Sequence, residues 1–175
     1  MNIRAVFTAF VLLALAVGAF PAYQVLSAPP PPDLVETLQS QTDGNLDISY
    51  HDSTGMVRFL GTDLDHAIPQ VDREAVNAEP EQAARMFLSQ YGELFGLVDA
   101  TQELQVMRVQ TAEGDLPTVR FQQVLNGIPV MAGELIVQMK VDRSVLSAGG
   151  EILPAVDVDL TPTVDAETAR QNALN

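Results

Sequence analysis

The sequence has no cysteine and no tryptophan, only two histidines, and nine basic residues against 23 acidic ones. Without cysteine there is no disulfide, no thiol nucleophile and no lipid-modified Cys at the head of an exported chain. The basic residues stand singly, with no cluster and no aromatic interleaving to follow a phosphate backbone, which excludes a nucleic-acid role. The formal charge of −14 favours solubility and attraction to basic or cation-binding surfaces, and says nothing of fold. Aromatic residues make up 6% of a composition that is 47% hydrophobic, so the core of this globular chain has to be built mostly from Val, Leu, Ile and Met.

What is present begins with "MNIRAVFTAFVLLALAVGAFPAYQVLSA", one cation at Arg4 followed by an apolar run from Ala5 to Phe20 and then small residues. That is the layout of a secretory signal. Cleavage after Ala19 or after Ala28 each places a small residue before the cut. An uncleaved anchor is the alternative, since about 20 apolar residues span a bilayer. Pro21 and Gln24 interrupt the run and favour a cleaved signal. Removing residues 1–28 takes away Arg4 and no acid, so the exported part is more acidic still.

The exported chain of this 175-residue sequence suits one ordinary domain or two small ones. Four prolines, Pro29 to Pro32, predict a stiff extended spacer, after which Asp33 is placed to cap a short helix carrying Leu34, Val35 and Leu38. Leu46, Ile48 and Tyr50, then Val57 and Phe59 beyond Asp52-Ser53-Thr54-Gly55, predict a hairpin. Residues 61–79 read as loop. "EPEQAARMFLSQYGELFGL" predicts a helix with Pro80 in its first turn, Glu81 facing Arg85, an apolar stripe of Ala84, Phe87, Leu88 and Tyr91, and Gly92 as its stop.

From Glu103 the apolar period changes to two. Leu104, Val106 and Arg108 oppose Gln105, Met107 and Val109, and "TAEGDLP" makes a turn. Val119, Phe121 and Leu125 share one side of the next strand, Asn126-Gly127 is a hairpin turn, and Leu135, Val137, Met139 and Val141 share one side of the strand after it. Asp142-Arg143-Ser144 reverses the chain into "VLSAGGEILP", where Gly149-Gly150 predicts a bulge or kink. Asp165 caps a last helix with Ala169 and Ala173 on its apolar side. A helix begun so close to Asn175 suggests the front of a longer polypeptide.

With those residues on the page, "RFQQVLNGIPVMAGELIVQMKVD", "AARMFLSQYGELFGL" and "TPTVDAETA" resemble successive parts of the N-terminal propeptide of thermolysin-like zinc metallopeptidases. The resemblance runs from about Leu46 to Asn175, first to the propeptide module shared by fungalysins and thermolysins and then to the start of a PepSY module. Ser144 departs from it, standing in a turn where the family commonly has Gly. The resemblance implies an α+β fold, antiparallel β-sheet meanders packed by helices in a cystatin-like arrangement, preceded by a signal peptide. After the signal at 1–28 and the Pro-rich linker and short helix at 29–45 read from the residues, it divides the chain into a propeptide module at 46–141 and a truncated PepSY-like start at 142–175. It implies an intramolecular chaperone and inhibitor that acts in cis on a downstream, secreted zinc metalloendopeptidase, with zinc and calcium belonging to that catalytic domain. A freestanding secreted inhibitor or surface scaffold is the alternative.

The residues themselves supply no chemistry. A peptidase of that type needs His-Glu-x-x-His, but His51 is followed by Asp52-Ser53 and His66 by Ala67-Ile68. Asp63, Asp65 and His66 read as a solvated loop in preference to a hard-metal cluster, for want of calcium-loop spacing. Asp157 and Asp159 read as the exposed face of a strand. Ser53-Thr54 and Ser144 read as turn residues in preference to nucleophiles. Gln122 reads as a strand-surface residue and Asn126 as a turn former, although with Gln123 they could serve as inhibitory amides. Met86, Met107, Met131 and Met139 read as core fillers. No catalytic, cofactor-binding or metal-binding residue is expected in this segment.

Overall fold

The computed structural model describes residues 29–70, 72–112, 114–154 and 159–174. The expected signal at 1–28 and Asp157 lie outside the described residues. The fold is α+β: a six-stranded antiparallel sheet with four helices among the described residues. In chain order the elements are α1 (Pro32–Gln41), β1 (Asp47–Tyr50), β2 (Val57–Gly61), α2 (Pro80–Tyr91), α3 (Ala100–Glu103), β3 (Leu104–Ala112), β4 (Leu116–Leu125), β5 (Ile128–Met139), β6 (Val145–Glu151) and α4 (Ala166–Leu174). The strand order is β1-β2-β6-β5-β4-β3.

One face of the sheet is buried and the other is open. Leu60, Val119, Phe121, Leu135, Val137 and Ala148 are each fully buried beneath the helices. Their neighbours one residue away, Gly61 excepted, are half-buried or exposed, among them Arg120, Glu134, Ile136 and Ser147. The apolar stripe of α2 closes the core with Ala83, Ala84, Phe87, Leu88 and Tyr91. Each large side chain buried there contributes about 1.5–3 kcal/mol. The Tyr91 hydroxyl donates to Gln41 Oε1 at 3.2 Å, which ties α2 to α1. Arg85 pairs with Glu81 at 2.9 Å as expected, donates to the Leu104 carbonyl at 3.2 Å and stands 5.2 Å from the Phe121 ring centre.

Several local expectations are corrected. Asp33 sits in the first turn of α1 instead of capping it, because Pro32 opens the helix and Pro31 precedes it without a side-chain cap. Phe59 faces solvent at 44% exposure: the ladder pairs Ser49 with Phe59 and Tyr50 with Val57, so a bulge at Arg58 shifts the alternation and points Val57 and Leu60 inward. Residues 61–79 are not all loop. Ile68 is fully buried and bridges Val145 through two backbone bonds of 2.8 Å, and Ala75–Asn77 form a 3₁₀ turn.

α2 does end at Gly92, its C-cap, but with a helical φ of −62°: Gly92 opens a 3₁₀ turn, Gly92–Phe95, and the left-handed residue is Gly96 at φ 89°. Val141 lies beyond β5 and is exposed. Gly149-Gly150 makes no bulge: both residues keep register with Ile136 and Leu135. Their role is close approach. A Cβ on Gly149 would sit 2.9 Å from the Phe59 ring, and one on Gly150 would run into the Glu134 carbonyl oxygen.

The boundary expected at 141/142 falls within the sheet, since β6 pairs with both β2 and β5. Asp165 does cap α4, accepting from the Thr168 amide at 2.9 Å and its hydroxyl at 2.8 Å. No residue of α4 is buried. Among the described residues no helix is long and apolar enough to cross a membrane.

Candidate functional site

The β4–β5 hairpin changes character along its length. Near its base, Thr118 to Gln122 pair in regular register with Gln138 to Glu134. β6 ends opposite Glu134, where Glu151 is its partner, and β3 begins opposite Gln123 with Leu104. Residues 124–133 therefore form a two-stranded projection beyond both neighbouring strands. The turn at its tip is Asn126 (φ 49°) and Gly127 (φ 81°), both left-handed, as a two-residue hairpin turn requires. Asn126 is thus a turn former, as expected.

Within the projection the ladder breaks. Gln122 pairs with Glu134 and Val124 with Pro129, so Val130, Met131, Ala132 and Gly133 together stand opposite Gln123 alone. This wide bulge turns Met131 outward to 96% exposure and holds Ala132 at φ 60°. The Gln122 side-chain amide fixes it by donating to the carbonyls of Val130 at 2.7 Å, Gly133 at 2.8 Å and Gln123 at 3.0 Å. Gln123, 5% exposed, turns the other way and grips the chain after β6, donating to the Leu153 carbonyl at 2.7 Å and accepting its amide at 2.9 Å. The Gln122 side-chain NH2 and both polar ends of Gln123 are thus engaged within the chain, which gives them a shaping role.

The methionines divide. Met139 is fully buried and Met86 half-buried, in keeping with core fillers, whereas Met107 at 54% and Met131 at 96% are exposed. Each exposed one sits in an irregular stretch of ladder, Met107 between Val106 and Arg108 and Met131 in the wide bulge. The exposure of Met107 agrees with its period-two place opposite Leu104 and Val106, whereas period two puts Met131 on the face of Leu135 and Val137 and fails there because the ladder is broken. The available signal was Pro129, which cannot donate to a ladder and marks an edge or an irregularity.

The remaining sequence candidates sit in local hydrogen-bonded turns. Asp63 Oδ1 accepts from the amides of Asp65 and His66 and meets His66 Nδ1 at 2.7 Å. Those bonds, the His66 ring first, hold its carboxyl below the usual range. No group of three metal-ligating side chains occurs among the described residues. Asp159 lies outside the strands and accepts the Thr161 amide at 2.9 Å. Asp142 accepts from the Ser144 hydroxyl and amide, and Arg143 takes the left-handed φ of 70° in that turn. The left-handed position of the turn is thus filled by Arg143 and not by Ser144.

One grouping escaped the sequence. Ser53 Oγ lies 3.0 Å from His51 Nδ1, and His51 Nε2 lies 3.3 Å from Glu151, which Arg58 also holds at 2.6 Å. The residue types are those of a nucleophile, a base and its orienting acid. Their setting is an open hairpin turn, with His51 and Glu151 side chains 39% and 44% exposed and Glu151 already neutralised by Arg58. What the arrangement does is clip the β1–β2 turn to the end of β6.

No curated protein matches the chain. Residues 102–152, from within α3 to just past β6, match the family model of the Fungalysin/Thermolysin Propeptide Motif, and the β3–β6 meander is thereby similar to part of the propeptide of a thermolysin-like peptidase.

Proposed function

We propose that the chain is a prodomain that helps a thermolysin-like zinc metalloendopeptidase of the same precursor to fold after secretion, and keeps it silent until the prodomain is cut away. The observation that supports this most is the match of residues 102–152 to the propeptide motif over a contiguous, well-packed part of the sheet. The physical logic is one of binding. A peptidase with many non-local contacts folds slowly, and a prefolded surface that binds its native-like state favours that state by mass action. Covalent linkage supplies a high effective concentration, so modest intrinsic affinity suffices. Recognition of this kind needs shape and no reactive side chain, which fits a motif whose best-patterned residues are apolar.

The test is refolding of the peptidase domain from denaturant with and without this chain added. The expected outcome is a higher yield of active enzyme after the chain is digested away, and slowed peptide hydrolysis while it remains. Equal yields together with unslowed hydrolysis would end the proposal.

A further inference from the structure

The wide bulge combines two costs that a merely structural hairpin would avoid. Met131 is 96% exposed, and Ala132 occupies the left-handed region that favours glycine. Strain that the surroundings hold in place points toward function. Here the surroundings do hold it, through the three bonds from Gln122 and through Gly133, where an added Cβ would stand 3.0 Å from Gln123. Beside Met131, Ile128 is 50% exposed and Pro129 is exposed. From Phe121 to Gly133 there is no charged or titratable residue, in a chain of net charge −14.

We infer that Met131, presented by the Val130–Gly133 bulge, is an anchor that inserts into an apolar recess on the peptidase domain of the same precursor. This rests on the prodomain reading and names the element that docks. The anchor is uncharged, so its recess is lined by apolar or neutral groups. Because the Gln122 bonds hold the bulge in shape before docking, little conformational entropy is lost on binding. An unbranched thioether fits itself to an irregular recess. A second copy of the chain is the less suitable occupant: three small apolar side chains fall far short of the roughly 800 Å² per partner of a standard stable interface, and two chains of this charge repel. A tethered partner needs no such area.

The test titrates the purified chain and its Met131→Asp and Met131→Ala variants against the peptidase domain supplied as a separate chain, reading inhibition of peptide hydrolysis at low and high salt. Wild-type inhibition, weakened roughly tenfold or more by Met131→Asp at both salt concentrations and less by Met131→Ala, with melting temperatures unchanged, is the expected result. Inhibition by wild type and Met131→Asp with equal potency would overturn the anchor and leave the prodomain standing. No inhibition and no binding by wild type would overturn both. A wild-type chain that sediments as a dimer, and a Met131→Asp chain that sediments as a monomer, would assign the tip to self-association and overturn the proposal.

Discussion

The base and the tip of the β4–β5 hairpin belong to the same two strands and differ in nearly every physical respect. At the base, Val119, Phe121, Leu135 and Val137 are fully buried in regular register. At the tip, Ile128 and Met131 are exposed, the register is broken and Ala132 is strained. The adjacent glutamines mark the border, with Gln122 shaping the tip and Gln123 anchoring the chain that leaves β6. The difference teaches that one hairpin can divide stability from display: damage at the base should read in folding, and damage at Met131 in recognition.

The largest effect is expected at the base. Leu135→Ala removes a fully buried side chain and should lower stability by about 2–5 kcal/mol, read as a reduced urea midpoint. An unchanged midpoint would show that the base is not the core. Gln123→Ala should cost about 1–3 kcal/mol, because both backbone groups of Leu153 lose their partner. At the tip the sign reverses. Ala132→Gly should raise stability by about 0.5–1 kcal/mol, as relief of the left-handed strain outweighs the extra chain entropy of glycine. Met131→Asp should leave stability within about 0.5 kcal/mol, so that any loss of inhibition reports recognition alone.

The smallest effect separates the regions by pH. Hydrogen bonds lower the carboxyl values of Asp63 (from His66), Asp99 (from Thr101) and Asp142 (from Ser144). A lowered folded-state value means that their stabilisation is present above the ordinary carboxylate range and is lost as pH falls through the lowered values. Stability should therefore decline on acidification, while the contribution of Met131 to binding, which involves no titratable neighbour from Phe121 to Gly133, stays constant. A parallel decline in the two would join what the structure separates.

Much of the fold was legible because its signals are local. The stripe of α2, the Asn126-Gly127 turn and the cap at Asp165 each depend on residues within a few positions, and each was read correctly. The errors fall where a distant partner decides. Phe59 and Met131 are turned outward by bulges that exist only relative to the opposing strand. Gly149 and Gly150 looked like a kink until Phe59 and Glu134, brought against them by the sheet, supplied the reason for two missing side chains. The Ser53–His51–Glu151 clip needed β6 beside the first hairpin, a pairing of low sequence locality. The candidate site was the least legible part, since a strained bulge writes no motif beyond an out-of-place Pro129.

The most direct test of the division is amide hydrogen exchange of the chain, alone and in complex with the peptidase domain. The account predicts that amides at 128 and 130–133 slow sharply on binding, while those at 118–122 and 134–138, already slow in the free chain, do not change. Protection that appears along α1 and α2 and leaves the tip exchanging freely would contradict it.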